Sequence, residues 1–282
     1  MSQEKTFDYQ TILQKRQEYM VPTLTYLHSD PLFVVKGKDQ YLYDQDGRQY
    51  LDFFAGISTV SVGHCNESVN QAMIEQLQQL QHTSTAFLTE PMVTLSEKLA
   101  EIAPGSLKKC FITNSGTEAN EGALLLAKYH TKCYEVMALR HSYHGRSYLV
   151  ASLTAQASWR VDGTPAPGIA FLPNAYCYRC PFGLSYPDCG VRCATAAEEL
   201  IQTTTSGQVA ALIAEPIQGV GGIITPPPEY FKIIKGILEK YGILFISDEV
   251  QTGFGRTGGK MFGIEQYGVE PDMMTMAKGI AN

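Results

Sequence analysis

Ile243-Leu244-Phe245-Ile246-Ser247-Asp248-Glu249-Val250-Gln251, a glycine-rich connection, and Asp272-Met273-Met274-Thr275-Met276-Ala277-Lys278 decide the fold. Each apolar run has the length of a buried strand, and each delivers a polar group at its end: Asp248 after the first, Lys278 after the second. Ligands of open α/β sheets sit outside the carboxyl ends of the strands, so an acid and an amine delivered there are candidates for one site.

Working outward, Lys109 onward alternates strands with helices. Cys110-Phe111-Ile112-Thr113, Glu135 to Leu139 and Val209 to Ala214 read as strands; Thr117 to Tyr129 and Pro228 to Tyr241 read as helices, the second stopped by Gly242. Such alternation predicts an α/β fold with a mostly parallel sheet and helices on its faces. Upstream, Asp8 to Met20 has the pattern of a short amphipathic helix. Leu32 to Phe54 alternates in period two around Gly37-Lys38-Asp39 and Asp46-Gly47, a three-stranded antiparallel meander. Asn66 to Leu80 and Pro91 to Ile102 carry helical periodicity.

With 282 residues and 44% hydrophobic content, the chain can build a large packed core. A net charge of -6 provides no basic surface for nucleic acid. Nothing has the length of an apolar membrane span, and Met1 to Met20 carries acids and lacks the apolar core of a leader. A cytoplasmic location is the resulting expectation, with the seven cysteines as thiols or metal ligands rather than disulfides.

Asn114-Ser115-Gly116-Thr117-Glu118-Ala119-Asn120 lies between a predicted strand and a helix. Free amides at a helix start, with the hydroxyls of Ser115 and Thr117, make a phosphate cradle; the same residues also read as an ordinary N-cap. In His141-Ser142-Tyr143-His144-Gly145-Arg146, an aromatic ring at a strand end can stack on a planar group, and Gly145 lets the backbone approach it. Glu215, in Ala214-Glu215-Pro216-Ile217-Gln218-Gly219, places a second acid at the same sheet edge as Asp248. Two acids there would fit glycoside hydrolysis only if they flanked a sugar. A phosphate cradle, a stacking ring, an acid to keep a ring nitrogen protonated and a lysine able to form an imine are jointly what pyridoxal phosphate needs. In isolation Lys278 would read as a solvated surface lysine.

NSGTEANEGALLLAK, YHGRS, AEPIQGVGG, SDEVQTGFGRTG and MAKGIAN resemble the class III pyridoxal-phosphate aminotransferases of fold type I, from about Leu32 to the last residue. The resemblance implies an N-terminal helix and meander over residues 1–60, part of a small domain, and a cofactor-binding large domain over 61–282. It implies that Ser115, Gly116 and Thr117 bind the phosphate and that Tyr143 stacks on the ring with His144 beside it. Asp248 would bond the pyridine nitrogen, Val250 pack on the ring face, and Gln251 reach the ring hydroxyl. Lys278 would be the Schiff-base lysine and proton shuttle, and Glu215 a substrate-site acid that pairs with an arginine. A homodimer is implied too. His82 to Phe87 and the run into NSGTEAN look most similar to the branch that uses alanine as donor and glyoxylate or pyruvate as acceptor. A same-fold racemase, aminomutase or phospho-lyase shares Asp248 and Lys278, and an inactive truncated product is the reading from another class.

Two departures accompany the resemblance. The sequence stops four residues after Lys278, whereas family members continue into further strands and a C-terminal domain carrying substrate arginines. The expectation is a truncated chain that exposes apolar sheet surface. Residues 173–193 read as an inserted loop holding Cys177, Cys180, Cys189 and Cys193, a set that would take zinc or an iron–sulfur cluster.

Overall fold

The computed structural model describes residues 8–23, 28–160 and 165–282. Residues 1–7, part of the stretch read as lacking a leader, lie outside them. Contacts divide the chain into one unit of residues 1–83 with Asn282 and another of residues 84–281. The sequence places the boundary near residue 60; helix α3 falls on the N-terminal side of the division.

The first unit opens with α1 (Tyr9–Tyr19), capped by Asp8, whose carboxylate accepts the Thr11 N–H. A three-stranded antiparallel sheet follows in the order β1 (Val34–Lys38), β2 (Tyr41–Asp44), β3 (Gln49–Leu51), as the period-two pattern predicts. Asp44 closes the β2–β3 turn by accepting N–H bonds from Asp46 and Arg48, and the Tyr50 hydroxyl. A distorted turn, α2 (Ala55–Ser58), and α3 (Glu67–Gln79), capped by Asn66, complete the unit.

The second unit begins with α4 (Glu90–Ile102) and α5 (Gly116–Thr131), followed by β4 (Glu135–Leu139), α6 (Tyr148–Leu153) and β5 (Ile169–Leu172). Then come α7 (Arg192–Thr204), β6 (Val209–Ala214), α8 (Tyr230–Lys240), β7 (Leu244–Asp248) and β8 (Met273–Thr275). The sheet is parallel in the order β5-β4-β6-β7-β8. Successive side chains of a strand face opposite sides, and both sides are covered here, which is why the strands read as continuous apolar runs. Met137, Leu139, Leu212, Ala214 and Phe245 pack with Ala194 and Ile201 of α7 and Phe231, Ile234 and Leu238 of α8. Val136, Ala138, Ala211, Ile213 and Ile246 pack with Ala123, Leu124 and Ala127 of α5 and Leu149, Val150 and Leu153 of α6.

The predicted strand Cys110–Thr113 is not a strand. The segment is extended but has no sheet neighbour among the described residues, and Phe111 is 79% exposed. An apolar groove of about 480 Å³ separates its surroundings from the outer edge of β8, with Leu99, Phe111, Ile112, Leu126, Met274 and Met276 in its walls. Of its walls Phe111, Ile112 and Leu126 are exposed, whereas Met274 of β8 is half-buried. Among the described residues no helix is long and apolar enough to cross a membrane.

Candidate active site

Parallel order sends the loops after β4, β6, β7 and β8 out of one edge of the sheet, and α5, packed across β6, β7 and β8, points its N-terminus there. Contacts confirm the convergence. A Cβ on Gly116 would lie 3.0 Å from Val250 and 3.2 Å from Ala277, one on Gly219 would lie 2.3 Å from Gln251 Oε1, and one on Gly221 would lie 2.5 Å from the His141 carbonyl. Glycine at Gly116 therefore lets the helix start close against the residues that follow β7 and precede Lys278.

Asp248, 3% exposed, ends β7. Its Oδ2 accepts Nδ2–H of Asn120 at 2.8 Å and lies 2.7 Å from His144 Nδ1; its Oδ1 accepts the Val250 N–H at 3.0 Å. In the bond to His144 the carboxylate oxygen is the acceptor and Nδ1 the donor. His144 Nε2 is buried with no hydrogen-bond partner among the described residues. Oδ1 keeps an acceptor position for one more donor, such as a pyridinium N–H.

Lys278 follows β8, half-buried, with a left-handed backbone at φ 52°. Burial lowers its pKa below the ordinary lysine value, opposed by the charges of Asp248 and then Glu215. Desolvation thus favours the free amine, the form able to attack a carbonyl. Tyr143, half-buried, meets Trp159 edge to face at 5.7 Å.

The phosphate turn departs from expectation at Thr117. Its hydroxyl accepts N–H bonds from Arg146 (3.1 Å) and Ser147 (3.0 Å) and shares a hydrogen bond with Ser147 Oγ (3.0 Å). It ties the loop after β4 to α5, leaving the backbone N–H as this residue's donor for a phosphate. Gly145, at φ 135°, makes the tie close enough: a Cβ there would lie 2.4 Å from Thr117 Oγ1. Ser115 is exposed and caps α5, accepting the Glu118 N–H at 3.3 Å. The N–H groups of Gly116 and Thr117 have no helical carbonyl four residues back to bond, so they remain donors for an anion at the helix start.

Glu215 is 5% exposed, and its oxygens accept the backbone N–H groups of Tyr143 (3.0 Å) and Gly219 (3.1 Å), so it joins two loops. Burial pushes its pKa up to about 7, against the lowering effect of His144 and with a raising effect of Asp248. The folded chain therefore holds this proton more tightly than the unfolded chain, and stability falls as pH rises from about 4.5 to about 7. Urea unfolding across that window should show wild type losing on the order of 3 kcal/mol relative to Glu215→Gln, which has no such titration. Parallel pH profiles for the two proteins would contradict it.

The expected metal loop is not formed. Cys177, Cys180, Cys189 and Cys193 line one small cavity. Among the described residues, however, no three His, Cys, Asp or Glu side chains are grouped so as to hold a metal ion. Burial raises the Cys193 thiol to about 11, and burial followed by the neighbouring Cys189 raises Cys177. Cys193 belongs to α7 and the apolar core.

Three residues at this sheet edge escaped the sequence reading. Asn120 and Thr275 bond each other beneath Asp248 (2.6 Å), and Glu249 sits fully buried beside it. The Glu249 carboxylate accepts N–H bonds from Gly263 (2.9 Å) and Ile264 (2.8 Å) and the hydroxyls of Thr252 and Ser247. For Asn120 a signal existed: it lies on the stripe of α5 that also carries Ala123, Leu124 and Ala127, a polar side chain on an otherwise apolar face.

Residues 25–282 match the family described as aminotransferase class-III. The chain belongs to the class III aminotransferases. It is 44% identical over 271 residues to alanine–glyoxylate aminotransferase 2 homolog 2, mitochondrial, of Arabidopsis thaliana, covering 96% of this chain and 56% of that one. It is 39% identical over 272 residues to a leucine/methionine racemase of Thermococcus litoralis, covering 94% and 60%. The fold matches an (S)-enantioselective omega-transaminase from Thermomicrobium roseum with a TM-score of 0.90 at 36% identity, covering 97% of this chain and 64% of that one. This class III chain thus spans less than two thirds of the length of these relatives.

Proposed function

We propose that this class III chain carries the cofactor-binding machinery of a pyridoxal-phosphate-dependent transamination that moves an amino group from an alanine-like donor to a 2-oxo acid such as glyoxylate or pyruvate. The observation that carries the reading is the meeting, at one sheet edge, of a buried carboxylate with an open acceptor position (Asp248), a buried amine (Lys278) and a helix start with free N–H donors (Gly116, Thr117). These residues fit the cofactor by their chemistry. The helix start holds the phosphate, Asp248 holds the ring nitrogen protonated, Tyr143 and Val250 bracket the ring, and Gln251 reaches its hydroxyl. When bound, the cofactor supplies an electron sink for the carbon that loses its proton. Lys278 carries that proton: with the neutral amine favoured by burial, its Nζ takes the proton from the substrate carbon and returns it to the cofactor side.

The similarity to an alanine–glyoxylate aminotransferase 2 homolog supports the donor and acceptor. We extend the proposal to a homodimer, for which the exposed Leu125, Leu126 and Tyr129 of α5 offer apolar surface. The test is spectroscopic. Pyridoxal phosphate added to the chain should give a visible band; alanine should bleach it with release of pyruvate, and glyoxylate should restore it with release of glycine. A band that never forms overturns the cofactor reading. Because a racemase is among the relatives, appearance of D-alanine without pyruvate would overturn transamination in favour of racemisation.

A further inference from the structure

Asn120 is 1% exposed, and both N–H donors and the carbonyl oxygen of its side chain are hydrogen-bonded. Its Nδ2 donates to the His144 carbonyl at 2.8 Å and to Asp248 Oδ2 at 2.8 Å, while its Oδ1 accepts the Thr275 hydroxyl at 2.6 Å. The pattern fixes which way the amide points. A backbone carbonyl and an ionised carboxylate only accept, so the nitrogen must face them; reversing the amide would set an oxygen against two oxygens and break two buried hydrogen bonds. Thr275, 4% exposed, keeps the opposite side of the amide occupied by a donor.

One side chain thus ties together α5, the loop after β4, the end of β7 and the end of β8. We propose that Asn120 and Thr275 are a positioning pair that holds the plane of the Asp248 carboxylate, so that its open acceptor position on Oδ1 meets the cofactor ring nitrogen. The proposal rests on the reading of the site as a pyridoxal-phosphate site and adds two residues that touch neither cofactor nor substrate. With Oδ2 taken by Asn120 and His144, and Oδ1 held by the Val250 N–H, the carboxylate has no free rotation about its last bond. Without the amide, His144 alone holds Oδ2, and the carboxylate turns away from the ring nitrogen.

The pair is tested by alanine-driven bleaching of the visible band at saturating pyridoxal phosphate, with the rate and the half-saturating alanine concentration measured separately. Thr275→Val keeps the size and removes the hydroxyl; bleaching should slow about tenfold, the equivalent of one buried hydrogen bond, with half-saturation by alanine unchanged. Thr275→Ser restores the hydroxyl and should return the rate to within about threefold of wild type, which a packing role would not do. Asn120→Asp sets a second carboxylate beside Asp248 and should slow bleaching more than Thr275→Val does. A wild-type band with Thr275→Val bleaching as fast as wild type, or with Thr275→Ser as slow as Thr275→Val, overturns the positioning role. A wild-type chain that gives no band overturns instead the cofactor reading beneath it.

Discussion

Lys278→Ala should abolish the visible band that pyridoxal phosphate gives with the wild-type chain, and with it the amino-group exchange. Lys278 is half-buried at the end of β8, and burial lowers its pKa against the pull of Asp248 and Glu215, so it is the lysine at this edge whose surroundings favour the neutral amine. The seats for phosphate and ring do not depend on it: Gly116 and Thr117 keep their amide donors, and Asp248 keeps its three donors from Asn120, His144 and Val250. The variant should therefore still retain the cofactor without the covalent link. Loss of the proton carrier should lower the release of pyruvate from alanine on the order of 10²–10⁴-fold. A small added amine such as methylamine should recover part of the band. A band of wild-type intensity in the variant would assign the bond to another lysine.

Glu249→Ala should have the largest effect on stability. The carboxylate is fully buried and accepts the Gly263 and Ile264 N–H groups together with the hydroxyls of Thr252 and Ser247. Alanine leaves these donors in the interior without an acceptor, at roughly 1–3 kcal/mol for each unsatisfied group before relaxation. Burial raises the pKa of Glu249, so part of the wild-type gain is already offset by desolvation. The net loss should be about 3–5 kcal/mol, a fall in the unfolding midpoint on the order of 10 °C by circular dichroism. Glu249→Gln, which keeps one acceptor, should lie between the two. A midpoint within about 2 °C of wild type would show that the turn from 249 to 252 is held by other contacts.

What could be read from the sequence follows from how local each feature is. β7 was legible because Phe245, Ile246 and Ser247 are buried with the sheet covered on both faces, so burial shows as an unbroken apolar run, and β8 because Met273 and Met274 continue that pattern at the sheet edge. The start of α3 was legible because Asn66 caps within its own turn, whereas α5, read from Thr117, begins at Gly116 with Ser115 as its cap. Cys110–Thr113 has the composition of a strand, but a strand is a pairing of two segments, and among the described residues no neighbour pairs with this one. Asn120 was overlooked because its partners lie 24, 128 and 155 residues away, where no spacing rule reaches. For Thr117 and Glu215 residue type indicates the chemistry but not the local partners, the backbone N–H groups of neighbouring loops that each accepts.

The Thr117 tie, with Gly145 closed against it, has a thermodynamic consequence. The helix start that offers amides to a phosphate and the loop that offers Tyr143 to a ring are joined by hydrogen bonds at 3.0 to 3.1 Å, so they form one rigid body without a hinge between them. The spacing between the two seats is set when the chain folds, and the entropy of fixing it is not charged to the ligand on arrival. A molecule carrying both a phosphate and a planar ring at that spacing meets a surface already shaped for it, whereas a phosphate or a ring alone gains from only half of the order built in.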